Sequence, residues 1–384
     1  MEPTNAPQDT SWRSGIFALL TSLAVVDDPR GRKGKMHALV DVLAIAILGT
    51  ICGCDDAEAF QIWAEKEEPW LRRFLALKHG IPTQDTYLRV LAALDPKQFR
   101  ESFLSWAKTV FHLMGLRGQL AVDGKTLRGT KNAGVNLTHM INALSCETGL
   151  VVGQERTASK SNEITAIPML LDVIALKGCL VSIDAMGCQT KIAQKIIDKE
   201  GDYLLGLKQN QPTLHAQVNK IFSASSSSSL PKDTTTNKGH GRIETRTATV
   251  CAQFCDDVTA ARRWPQMKTL VRIESIRQVV TETKVSTETR YYICSRNLTA
   301  QQANQAVRAH WLVENQLHWC LDVTFGEDHN QTKTKHAAEN LAVIRQFALN
   351  IMRNFHGDKR SLRLRRRQCD YNLKYREEVL AAAM

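Results

Sequence analysis

From Gly118 onward the hydrophobic period of this chain drops from about 3.6 residues to 2, and this change restricts its architecture more than any other feature. QLAVDG, THMINALSCETG and LVVGQERTAS read as three consecutive strands, with Glu147-Thr148-Gly149 as the turn between the last two. Asn162-Glu163 then starts a helix, since an acidic residue suits a first turn. GCLVSIDAMG reads as a fourth strand, CQTKIAQKIIDKEG as a helix and DYLLGLKQNQ as a fifth strand. Consecutive strands followed by alternating helix and strand predict an α/β fold, a mixed sheet with helices packed on it.

The flanks read differently. HALVDVLAIAILGTICG is an apolar helix closed by glycine, and AEAFQIWAEKEEPWLRRFL keeps helical spacing. A third helical stretch opens after a proline turn and ends at Gly115. Beyond the fifth strand, SASSSSSLPKDTTTNKGHGR reads as a polar loop. RIETRTATVCAQF and TLVRIESIRQVVTETKVSTETRYYICS follow as inserted β-hairpins, before QAVRAHWLVENQLHWCLDV and HAAENLAVIRQFALNIMRNF return to helical spacing. The expected division is a tail at 1–11, a helical domain at 12–115, a first part of the core at 116–220, a β-rich insertion at 221–299, a second part of the core at 300–356 and a basic segment at 357–384.

With 384 residues, 43% of them hydrophobic, the chain can bury a large core and is not disordered overall. Its formal charge of +11 favours a polyanionic partner, nucleic acid ahead of a membrane surface. The basic loop at Asp27–Lys35 reads equally as solvated or as a phosphate contact, and so does the basic run from Lys359 to Arg367. The first residues carry no signal-peptide pattern. The most apolar stretch, Ala38 to Ile51, contains Asp41 and is too short to span a bilayer. Neither Cys52-x-Cys54 nor Cys251-x₃-Cys255 has a second pair at zinc-site spacing, so free thiols in a reducing cytoplasm are expected.

Two strands end on a carboxylate: Asp123 closes LAVD and Asp184 closes CLVSID. Gly124-Lys125-Thr126 does not make a nucleotide-binding loop, because Gln119 stands where its first glycine is needed. Strand-end aspartates are common turn formers. Delivered at the same end of a sheet, however, they repel one another, and Mg²⁺ relieves that repulsion using a few oxygen ligands. Glu314 lies among Val307, Trp311, Leu317 and Leu321 on the next helix, an apolar stripe in which glutamate needs a partner. His310 and His318 flank it four residues to either side, which also permits a His-Glu-His zinc site. Glu327 and Asp328 are rival third carboxylates. Lys125, Arg128 and Lys208 would then sit near the same strand ends to hold substrate phosphates. The arrangement fits metal-assisted phosphoryl chemistry on nucleic acid.

AVDGKTLRGT, NEITAIPMLLD, VSIDAMGCQ, YLLGLKQNQ, HGRIETR, HWLVENQLHWCLDVTFGED and NLAVIRQFALN occur in this order and resemble the DDE transposases of bacterial insertion sequences, of the H-repeat-associated kind. DDPRGRKGKMHALVDVLAIAILGTICG and PTQDTYLRVLAALD are similar to that group's associated helical domain. The resemblance implies an RNase H-like core with a β-rich insertion and a catalytic, metal-binding triad of Asp123, Asp184 and Glu314. It further implies Mg²⁺, with Mn²⁺ accepted, and double-stranded DNA, both element ends and target, as substrate. A working dimer in the bacterial cytoplasm, with no membrane association, is also implied. The wider group carries tyrosine, arginine, glutamate and lysine on this helix, where the present chain has Val307, His310, Glu314 and Leu321. His310, Asn315 and His318 are left as candidates for the missing DNA contacts. A cleavage-only nuclease and a catalytically lapsed DNA-binding relic are the competing readings.

Overall fold

The computed structural model describes residues 11–31, 35–114, 118–127, 138–157, 163–224, 229–239, 241–252, 259–280 and 285–382. Five strands of the core, β1 (Gly118–Thr126), β2 (His139–Ser145), β3 (Val151–Thr157), β4 (Cys179–Ile183) and β5 (Asp202–Leu207), continue into β6 (Lys232–Gly239), β7 (Arg242–Cys251), β8 (Thr269–Val279) and β9 (Val285–Cys294). Together they form one nine-stranded sheet in the order β3-β2-β1-β4-β5-β9-β8-β7-β6. β1, β4 and β5 run parallel at its centre. β4 is buried along its whole length, as a strand covered on both faces must be.

The inserted hairpins are not a separate layer. β9 pairs antiparallel with β5, from Leu204↔Cys294 to Leu207↔Tyr291, and so extends the core sheet. The polar segment expected to be a loop throughout contains β6. This edge strand is exposed along most of its length, so it carries no apolar alternation to betray it. Threonine pairs hold it instead: Thr234 to Thr247 at 3.0 Å and Thr236 to Thr245 at 3.1 Å.

Five helices precede the sheet: α1 (Ser11–Leu23), α2 (Leu39–Ile51), α3 (Ala57–Leu71), α4 (Gln84–Ala93) and α5 (Pro96–Met114). Between β3 and β6 lie α6 (Glu163–Val173), α7 (Thr190–Asp198) and α8 (Pro212–Ser223), and after β9 come α9 (Ala300–His310) and α10 (Ala337–Asn354). α10 is buried from Leu341 to Met352 and joins the N-terminal helices to the sheet. Its buried amides explain the polar residues of NLAVIRQFALN. Asn350 closes the outer edge of β3, accepting from Val151 N–H at 2.8 Å and donating to Val151 O at 2.7 Å. Gln346 donates to Asn142 Oδ1 at 2.9 Å, and Asn340 donates to the carbonyls of Leu91 and Leu94. Covering a sheet edge in this way blocks pairing with other chains.

The chain ends in α11 (Leu362–Tyr371) and α12 (Leu373–Ala381). Here the expectation of a DNA-contacting basic run is corrected in part, because Arg365 and Arg366 are buried. Arg366 donates to Thr50 O at 2.9 Å, to Asp55 at 2.7 Å and to Thr324 O, and its guanidinium lies 4.4 Å from the Phe325 ring centre. Arg376 pairs with Glu67 at 2.7 Å beside Trp70. These charges tie the C-terminus to the N-terminal helices and to the segment after α9, leaving Arg363 and Arg367 exposed. No described helix is long and apolar enough to cross a membrane. The described cysteines are free thiols.

Candidate active site

The register of β1 on β4 places the two aspartates. Ala121 lies opposite Ser182 and Val122 opposite Ile183, so Asp123 and Asp184 are the next residues on adjacent parallel strands. Asp184 leaves its strand into a tight turn and accepts N–H bonds from Met186 at 3.0 Å and Gly187 at 3.4 Å. β5 presses on that turn. A Cβ on Gly206 would sit 3.0 Å from Ala185 N, and Asn210 donates to Ala185 O at 2.6 Å. Gly124, next to Asp123, is constrained in a similar way. A Cβ there would lie 2.4 Å from Glu163 Oε1 and 2.6 Å from His139 Nε2, two buried groups that bond each other at 2.5 Å.

Glu314 arrives from the opposite side. Thr299 and Gln302 form a capping box at the start of α9. Gln119 Nε2 then pins the helix to the sheet, donating to Ser182 Oγ and Ala306 O at 2.8 Å each. Ser182 Oγ is also 3.1 Å from His310 Nδ1. The single regular helix expected here instead widens into π-helical turns at Val313–His318 and Cys320–Thr324. Such turns are frequent at functional sites. The apolar stripe divides accordingly. Val307, Leu317 and Leu321 are buried, whereas Trp311 is partly exposed and the Glu314 side chain is 51% exposed, facing a cleft rather than the core.

That cleft, about 520 Å³ in volume, is lined by Asp123, Asp184, Lys208, His310, Trp311 and Glu314 among others. The Arg290 guanidinium lies 4.8 Å from the Trp311 ring centre at its rim. Asp123 is the most perturbed carboxyl. Burial, with Glu314 and Asp184 nearby, pushes it up to about 8. Burial also lowers the His310 imidazole below its ordinary value. One oxygen each from Asp123 and Glu314 and one nitrogen of His318 lie within 4.8 Å of one another. This acidic donor set, crowded enough to hold a proton on Asp123 in the metal-free chain, suits a divalent cation.

The other residues singled out by sequence have varied positions. Lys125 is corrected: it does not face solvent to hold phosphate but is 6% exposed and bonds Asp322 at 2.5 Å and Glu327 at 2.6 Å. Those carboxylates outweigh burial and hold its ammonium above the ordinary lysine value. Glu327 also faces Arg345 at 3.6 Å, so this rival third carboxylate is compensated inside the protein. Lys208 is exposed at the cleft, as phosphate binding requires. Asn315 lines a neighbouring groove of about 410 Å³ together with Arg242, Arg246 and Arg308. His318 is buried, and Arg128 lies outside the described residues. Sequence reasoning missed Asp322 and Arg345. The available signal was strand alternation, which puts Lys125 on the same face of β1 as Asp123.

Comparison with known proteins agrees with this architecture. The Transposase DDE domain model matches residues 115–351, and the DDE_Tnp_1-associated model matches residues 20–107. "Putative transposase YncI" of Escherichia coli O157:H7 is 37% identical over 376 residues, covering 96% of this chain and 95% of the relative. "H repeat-associated putative transposase YhhI" of Escherichia coli K12 is 35% identical over 371 residues, covering 95% and 98%. A protein encoded in the dhlA 3′ region of Xanthobacter autotrophicus is 41% identical over 275 residues, covering 71% and 92%. The RNase H-like sheet, the helices that precede it and these matches agree: the chain belongs to the Transposase DDE domain family, in its H repeat-associated branch.

Proposed function

We propose that this protein is a DNA transposase whose catalytic groups are Asp123, Asp184 and Glu314. The observation that carries the reading is the β1–β4 register, which delivers both aspartates to one sheet edge, with Glu314 brought against Asp123 from α9. Asp123, Asp184 and Glu314 would hold Mg²⁺, with Mn²⁺ as a substitute. When bound, such a cation neutralises the substrate phosphate and activates the attacking oxygen.

The remaining work falls to the chain itself. The amides of Met186 and Gly187 fix one Asp184 oxygen and leave the other facing the cleft. Ser182 and Gln119 hold α9 at a set height over the sheet, and this positions Glu314. Lys208 offers an exposed ammonium to a DNA phosphate at the rim. In the first reaction water attacks a phosphodiester at the element's end, giving a 5′-phosphate and a free 3′-OH. In the second, that hydroxyl attacks a target phosphodiester, so one bond forms as one breaks and no covalent protein intermediate arises. Two DNA ends joined to one target imply a dimer in the working complex.

The test uses labelled DNA from both flanks of the protein's own gene, incubated with wild type or Asp184→Asn, with and without Mg²⁺. Metal-dependent cutting at an inverted repeat and joined products from wild type alone are expected. Cutting without joining would identify a nuclease. Binding by both proteins with cutting by neither would identify a relic.

A further inference from the structure

The three groups that come closest in the cleft are not the two aspartates and the glutamate. Asp123, Glu314 and His318 cluster, while one oxygen of Asp184 is occupied by two backbone amides. We propose that His318 is a nitrogen ligand in the metal centre, which makes the site selective for Mn²⁺-like ions over Mg²⁺. This rests on the functional reading above.

Geometry supports the assignment in two ways. His318 Nδ1 is 3.5 Å from Glu314 Oε2 and 3.7 Å from Asp123 Oδ2, beyond the usual 2.7–3.2 Å of an N–H···O bond to either. The side chain is nonetheless 6% exposed, and its Nε2 has no hydrogen-bond partner among the described residues. A buried imidazole without a good hydrogen bond requires an explanation. A cation between three converging donors provides one: each donor can approach it without having to bond another. The π-helical turn Val313–His318 contributes by carrying Glu314 and His318 on one face, four residues apart. The neighbouring histidine is spoken for, since His310 Nδ1 faces Ser182.

The donor set decides which ion gains. Mg²⁺ takes oxygen ligands and keeps its waters, so an imidazole adds little to its binding. Imidazole suits the later divalent transition ions better, and Mn²⁺ accepts both kinds of donor. His318 thereby acts as a specificity residue for the metal.

The experiment uses the full chain with Mn²⁺ alone, read by pulsed electron paramagnetic resonance and by calorimetry. Wild type should show ¹⁴N modulation of the Mn²⁺ signal, replaced by a ¹⁵N pattern when histidine is isotopically labelled. This readout needs no variant and so does not depend on one folding. His318→Asn should remove the modulation, and His310→Asn should retain it. His318→Asn should also weaken Mn²⁺ binding by about tenfold or more, the loss seen even for groups that only support a ligand. Mg²⁺ binding should change by less than about threefold. Binding that depends on Asp123 but shows no ¹⁴N modulation, or modulation that survives His318→Asn, would overturn the ligand assignment alone. Mn²⁺ binding that is absent, or indifferent to Asp123→Asn, would overturn the metal-centre reading as well.

Discussion

Strand β1 carries two charged residues on one face, and their surroundings are opposite. Lys125 meets Asp322 and Glu327, with Arg345 behind them, so two cations and two carboxylates balance in a buried cluster. Asp123, two residues earlier, meets Asp184 and Glu314, and its nearest basic group is the His318 imidazole. Both clusters are built from the same strand and the same π-helical segment, yet one is neutralised within the protein and the other is left negative. An internally balanced cluster clamps two elements together. An unbalanced one stores repulsion that only a bound cation relieves, and this assigns the first to architecture and the second to chemistry.

Substitutions can break or sharpen this contrast. The largest effect is expected from Asp123→Asn on catalysis, a loss of about 10³-fold or more, equivalent to several kcal/mol of lost metal stabilisation. Initial rates on labelled element ends would measure it, and near-normal cutting would end the distinction between the clusters. Lys125→Met should act on stability instead. It leaves Glu327 with the more distant Arg345 alone and should cost about 3–5 kcal/mol in urea unfolding, the usual loss when a buried pair is broken from one side.

Asp123→Asn should move stability the other way. The folded Asp123 carboxyl is raised from 3.8 to about 8, so the native state holds a proton that the unfolded chain releases at lower pH. Its contribution is therefore full below the ordinary carboxylate range and is lost as pH rises through about 8. In chelator, wild type should lose Tm relative to the Asn variant over that interval, by about 2–4 °C for each 1 kcal/mol. Parallel pH profiles for the two proteins would refute the stored repulsion. The smallest effect belongs to Asp322→Asn, about 1 kcal/mol, because Asp322 is part-exposed and Glu327 stays on Lys125. A loss as large as that of Lys125→Met would place the clamp on Asp322 rather than on Glu327.

Much of the sheet was legible because β1 to β5 alternate or run apolar, and because glycine and polar turns punctuate them. Asp123 and Asp184 stood out for the same reason, each being a charge that ends an apolar run. β6 escaped detection because an edge strand held by Thr234 and Thr236 buries almost nothing, so periodicity carries no signal there. The partners of Lys125 were hidden for a different reason. Asp322 and Glu327 lie about two hundred residues away in sequence, and only the tertiary fold decides whether a lysine beside a catalytic position faces solvent or an internal carboxylate. The arginines of α11 were misread in the same way: composition shows their charge, but not that Thr50 and Thr324 carbonyls are waiting for Arg366.

The Arg366 contacts bear on how the protein is made. They join the end of α2, the segment after α9 and the penultimate helix, three pieces separated by most of the polypeptide. Domains generally fold from the N-terminus as synthesis proceeds. The helical region and the sheet can therefore form on the ribosome, but the guanidinium that fastens them together emerges almost last. Completion of translation is thus the event that locks the segment bearing Glu314 in place, and a chain shortened by its last two helices would keep the strands and lose that lock.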